Sequence, residues 1–177
     1  MTPEQRSRCM AAIKGKDTKP QMIVRKYLFS RGLRYRVNNR KLPGSPDIVL
    51  RKYKTVIFID GCFWHGHEGC KYYRLPKTNT DFWKHKIYMN MARDYAANVD
   101  LELAGWRVIR VWECDIRPMA KRDATLERLY RIIVGEERED KRLVREVRGY
   151  EENQENIEMA AEPEISLDSL QSYLRQK

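Results

Sequence analysis

A strand, a long helix and a second strand between residues 55 and 112 constrain this chain more than any other feature. "TVIFID", residues 55–60, is an apolar run closed by an acid. "NTDFWKHKIYMNMARDYAANVDLELAGW" then reads as a helix capped near Asn79 or Thr80 and stopped by Gly105, and "WRVIRVW", residues 106–112, is again mostly apolar. Parallel neighbours in a sheet need a crossover of a dozen or more residues, which a helix of this length supplies. A strand with so little polar alternation is expected to be buried. The two strands are therefore expected to lie parallel in one sheet.

Upstream, "DTKPQMIVRKYLFSRGL" predicts a helix: Thr18 is placed to cap it, Pro20 lies in its first turn, Gln21 stands three residues after the cap and Gly32 closes it. "LRYRVN" alternates like a strand. "LPGSPDIVL" places a turn before a strand beginning near Asp47, and the turn at residues 51–54 pairs that strand with 55–60 as a β-hairpin. "ATLERLYRIIVG" predicts a last packed helix. The fold class expected is α/β, a mixed sheet flanked by helices. Residues 1–138 form the domain, and 139–177 a charged linker and acidic tail, solvated or disordered, whose "ISLDSLQSYL" fits a short amphipathic helix.

Charge narrows the partner. The chain holds 35 Lys and Arg against 25 Asp and Glu, and the segment after Arg148 contains seven of the acids and two of the bases. That leaves 33 bases against 18 acids in residues 1–148, the signature of a polyanion partner such as nucleic acid. No segment reaches the length of a membrane span, and the N-terminal residues lack a signal peptide's apolar run, so the chain reads as cytoplasmic. A reducing cytosol argues against disulfides between Cys9, Cys62, Cys70 and Cys114.

Three of those cysteines suit a metal. Cys62 and Cys70 sit in "GCFWHGHEGC", residues 61–70, with His65 and His67, and Cys114 lies just past the strand 106–112. Zinc accepts three thiolates and one imidazole, and a closed four-ligand site is structural. Spacing leaves the choice between His65 and His67 open, and Cys9 reads as a free thiol.

In the hairpin, Asp47 comes opposite Phe58, so Asp47, the backbone of Ile59 and Asp60 converge at one edge. Such hard oxygens suit Mg²⁺, whose charge neutralises a scissile phosphate and activates water in a nuclease. His65 is placed to accept the proton of that water. Asn90 and Asp94 share a helix face, from which Asp94 could orient His65 or instead pair with Arg93 or Lys86. Phe63, Trp64 and Trp83 either pack over the zinc or act as a wedge between base steps.

Taken together, "LPGSPDIVL", "VIFIDGCFWHGH", "LPKTNTDFWKHKI", "NMARD" and "GWRVIRVWEC" resemble, over residues 5 to 135, the very short patch repair (Vsr) DNA mismatch endonucleases. The resemblance implies a restriction-endonuclease-like fold, a structural zinc at Cys62, His67, Cys70 and Cys114, and Mg²⁺-dependent nicking 5′ of the thymine in a T:G mismatch. It implies Asp47 and the carbonyl of Ile59 as Mg²⁺ ligands, His65 as general base, Asp94 as its support and Asp60 as a further active-site group. Phe63, Trp64 and Trp83 would intercalate, Asn90 would contact DNA, and the N-terminal helix would enter the minor groove. The partners implied are double-stranded DNA with a T:G mismatch and the mismatch-repair proteins, with the enzyme a monomer. Two features depart from the family pattern: Gln21 stands where members commonly carry Glu, and the Cys62–Cys70 spacing is one residue longer than in some. The competing readings are a restriction or phage-defence nuclease without mismatch preference, and a zinc-stabilised DNA-binding module without catalysis.

Overall fold

The computed structural model describes residues 15–136, together with residues 2, 4, 5, 8, 11 and 12. Cys9, most of the N-terminal helix and the whole of 139–177 lie outside the described residues. Four strands form one sheet in the order β1-β2-β3-β4: β1 (Arg36–Val37), β2 (Ile48–Leu50), β3 (Thr55–Asp60) and β4 (Arg107–Trp112). The first three pair antiparallel and β3 pairs parallel with β4, the mixed sheet expected from the hairpin and the crossover. The helices are α1 (Lys19–Ser30), α2 (Thr80–Leu103), α3 (Glu113–Ile116) and α4 (Met119–Val134).

Alternation along the central strands separates two cores. Ile57, Ile59, Ile109 and Val111 face Val24 and Leu28 of α1, Ile116 of α3 and Leu126, Leu129 and Ile132 of α4. Val56, Phe58 and Val108 face the other way, onto Leu101 of α2. That second face also receives Asp60 and Arg110 by the same alternation.

Three boundaries differ from expectation. "LRYRVN" contributes only Arg36 and Val37 to the sheet. The last helix begins at Met119, five residues before "ATLERLY", because Pro118 sits at its N-cap in extended conformation, where it needs no N–H. The turn of α3 went unread. Asn79 does cap α2, but with φ 52° and without a side-chain hydrogen bond, so its role is to turn the chain. The box on α1 formed as read: Thr18 N–H donates to Gln21 Oε1 at 3.0 Å and Gln21 N–H to Thr18 Oγ1 at 3.5 Å.

Candidate active site

The parallel pair explains how residues far apart in sequence meet. Asp60 lies opposite Trp112, so β3 and β4 end flush, and the residues two further on, Cys62 and Cys114, leave the sheet side by side. The loop from Cys62 folds back with His67 N–H on the Cys62 carbonyl at 2.9 Å and Cys70 N–H on the His67 carbonyl at 3.3 Å. Gly66, at φ 61°, lets this loop lie on α2; a Cβ there would stand 2.5 Å from Met91 Sδ.

The ligand atoms of Cys62, His67, Cys70 and Cys114 all lie within 4.8 Å of one another. Ligands at about 2.3 Å around a tetrahedral ion stand ~3.8 Å apart, so the cluster is of the right size for one metal. His67 Nδ1 is 3.5 Å from Cys114 Sγ, and its ring stacks on Trp112 at 4.0 Å. Burial pushes the Cys62 thiol up to about 11, and burial followed by the charges of Asp115 and Cys62 raises Cys114 as well. Cys70 is lowered: burial opposes its ionisation, but the Tyr72 N–H and the neighbouring thiols outweigh it. A bound cation would reverse the protonation of the two raised thiols. The choice that spacing left open is decided by place: His67 joins the cysteines and His65 turns away.

His65 turns to a second cluster. Its Nδ1 is 2.6 Å from Asp94 Oδ2, and its Nε2 is 3.9 Å from Asp60 Oδ1. Burial disfavours the charged ring, but the Asp94 hydrogen bond and the charges of Asp60 and Asp94 outweigh it, so its pKa is raised. Asp94 pairs with neither Arg93 nor Lys86 here; Arg110 Nη1 approaches it at 3.5 Å. Extending the β2–β3 register from Ile48↔Ile57 puts Asp47 opposite Phe58, and its Oδ2 accepts from the Ile59 N–H at 2.7 Å. Its Oδ1 accepts from Gln21 Nε2 at 2.7 Å. Burial pushes Asp47 up to about 6; the Ile59 N–H opposes this, Asp60 adds to it, and Arg25 and His65 pull it back. Asp47, Asp60, His65 and Asp94 open into one cleft with Lys16, Lys19, Arg40 and Arg117 among its lining.

Against this cleft stand the aromatics. Phe63 packs edge-on to Trp64 at 5.1 Å and to Trp83 at 5.4 Å, and Trp64 lies 6.0 Å from Trp83. All three are partly exposed. Phe82, which sequence reasoning missed, extends the group at 5.3 Å from Trp83 and is 60 % exposed. Asn90 is engaged inside the protein: its Nδ2 donates to the Trp64 carbonyl at 2.9 Å and its Oδ1 accepts from Arg93. It therefore tethers the aromatic loop to α2. Arg110 was also missed, although a charged residue in an otherwise apolar strand signals a buried partner.

A family model described as DNA mismatch endonuclease Vsr matches residues 1–71. The chain is 43 % identical over 133 residues to the DNA mismatch endonuclease Vsr of Escherichia coli strain K12, covering 74 % of this chain and 85 % of that one. This chain belongs to the Vsr family. It is also 50 % identical over 132 residues to a type II nicking enzyme of Neisseria meningitidis serogroup A, covering 75 % and 94 % of the two chains. A type II nicking enzyme of Haemophilus parainfluenzae is 48 % identical over 118 residues, 66 % and 83 % of the two. The Vsr-family chain is thus a DNA-cleaving hydrolase, an endonuclease on a restriction-endonuclease-like α/β fold. Among the described residues no helix is long and apolar enough to cross a membrane.

Proposed function

We propose that residues 1–138 nick double-stranded DNA 5′ of the thymine in a T:G mismatch, using Mg²⁺. The observation that carries the reading is the abutment of two groups: His65, flanked by Asp94 and Asp60, directly follows Trp64 of the aromatic trio in the chain. Cleavage and inspection of the base step are thereby tied to one short loop.

The donor set of the cleft fits Mg²⁺: hard carboxylate and carbonyl oxygens, with Asp47 held by two N–H donors that leave lone pairs for a cation. Asp47 and the Ile59 carbonyl would hold it, and Mg²⁺ supplies charge neutralisation at the phosphate and a lowered pKa for water. His65 Nε2 takes the proton of the attacking water. Asp94 accepts from Nδ1 and stabilises the imidazolium that results. The water oxygen bonds to phosphorus as the bond to the leaving deoxyribose oxygen breaks. Asp60 Oδ1, 3.9 Å from Nε2, stands beside the same ring.

The cysteine–histidine cluster is assigned to structural Zn²⁺, because soft thiolates with one imidazole and no further position suit that ion. It would hold the loop that presents Phe63 and Trp64. Inserting their rings beside the mismatch, with Trp83 and the exposed Phe82, costs about a few kcal/mol of unstacking, least at a badly paired step. The cationic rim of the cleft suits the phosphates on either side.

The deciding experiment is a nicking assay with Mg²⁺ on duplexes that differ only in a T:G, T:A or C:G pair. Selective nicking of T:G is expected. Equal cutting of all three would point to a nuclease without mismatch preference, and binding without cleavage to a DNA-binding module.

A further inference from the structure

Arg110 is the one charged side chain of β4 that is buried, with 8 % of its side chain exposed. It projects from the sheet face that meets α2, beside Phe58, its register partner, whose ring centroid lies 4.8 Å from the guanidinium carbon. Nη1 donates to Asp60 Oδ2 at 2.5 Å and lies 3.5 Å from Asp94 Oδ2. Nη2 donates to Asn98 Oδ1 at 3.1 Å and to the Asp94 carbonyl at 3.4 Å. One guanidinium thus touches both carboxylates that flank His65.

We propose that Arg110 is a positioning residue of the reaction centre: it clamps Asp60 and Asp94 on either side of His65 and neutralises Asp60, leaving Asp47 as the carboxylate that holds the divalent cation. The inference rests on the reading of Asp47 and His65 as the centre and goes further by dividing the carboxylates into two kinds. Asp60 is buried and would be costly as a lone anion. Three unpaired carboxylates in one cleft would draw cations strongly and in more than one geometry. With Asp60 matched by Arg110, the cleft binds a cation weakly and in one place. Only a planar fork reaches both partners, whereas a lysine ammonium is a point charge that satisfies one.

The test uses the full zinc-loaded chain and has a readout independent of cleavage. Mn²⁺ binding without DNA is followed by electron paramagnetic resonance, and Mg²⁺-dependent nicking is measured on the duplex the wild type cuts. Arg110→Gln is expected to bind Mn²⁺ about tenfold more tightly, because it removes a positive charge beside the ion. The same variant should nick about 100-fold more slowly, since misplacing catalytic groups is expensive. Damage to the fold would weaken Mn²⁺ binding instead. In Asp60→Asn/Arg110→Gln, where charge is removed in equal and opposite amounts, Mn²⁺ affinity should return to within about twofold of wild type. Should Arg110→Gln fail to fold, Arg110→Lys decides: it keeps the charge, so Mn²⁺ affinity stays within about threefold while nicking falls at least about tenfold. Unchanged or weaker Mn²⁺ binding in folded Arg110→Gln, or wild-type nicking by Arg110→Lys, overturns the proposal. A wild type that nicks no duplex overturns the proposed function instead, and the Mn²⁺ comparison still decides the division of carboxylates.

Discussion

Asp60 and Cys62 stand two residues apart in the chain, yet they enter clusters of opposite character. The oxygen cluster is already satisfied by protein. Asp47 accepts from Gln21 and Ile59, Asp60 from Arg110, and Asp94 lies against His65 and Arg110. The thiol cluster gathers three sulfurs and one ring nitrogen within 4.8 Å, with the Tyr72 N–H and the Trp112 ring against it and two of the thiols raised by burial. The difference separates the ion the proposed chemistry would use from the ion on which the fold would depend. A centre with internal partners keeps its shape when a weakly held ion leaves, whereas gathered thiols lose their reason to converge.

Stripping the soft cluster of its metal, by chelation or by Cys62→Ser, should therefore have the largest effect. It should lower stability by about 4 kcal/mol, roughly 15 °C in Tm for a domain of this size, and abolish nicking with it. Calorimetry with and without chelator checks this, and an unmoved Tm would erase the contrast. Asp47→Ala should divide the two properties the other way. Nicking should fall by about 10³-fold or more while DNA affinity stays near wild type and the Tm drops far less than on stripping the soft cluster, the loss being that of the Gln21 and Ile59 hydrogen bonds. If this variant cuts normally, the oxygen cluster is not the reaction centre.

Trp64→Ala probes what the thiol cluster holds in place. The preference for mismatched over matched duplex should fall about tenfold, with a smaller loss of affinity for matched DNA. Equal losses on both duplexes would mean that the rings only pack. Gln21→Glu is the finest test, because it replaces the Nε2 donor facing Asp47 with an acceptor. Metal-free stability should drop by about 1 kcal/mol and be regained on adding Mg²⁺, measured as a Tm shift. The oxygen cluster would then need its metal as the thiol cluster does, which sharpens the distinction to a single side-chain atom.

Much of the site was legible because short-range rules place it. Hairpin register puts Asp47 opposite Phe58, a helix face puts Asp94 and Asn90 on one side, and four ligands spaced over residues 62–114 suggest one ion. The rest depended on contacts that spacing does not encode. Asn90, for which the resemblance implies a DNA contact, donates its amide to the Trp64 carbonyl, a contact within the protein that spacing does not encode. Phe82 was passed over because an apolar residue in the first turn of a helix looks like core, and here that turn faces out. The start of α4 was missed because Pro118 was not read as a helix entrance.

What the sequence alone determined is the crossover, the hairpin and the identity of the chemical groups, since period, length and residue type act over a few turns of chain. What the tertiary structure decided is which group serves which cluster: His67 with the cysteines, His65 with Asp94, and Arg110 with Asp60 across 50 residues. The reason is physical. A buried charge or an unfilled metal position can be satisfied by any suitable partner in space, and only the flush ends of β3 and β4 against α2 determine which partner is near enough.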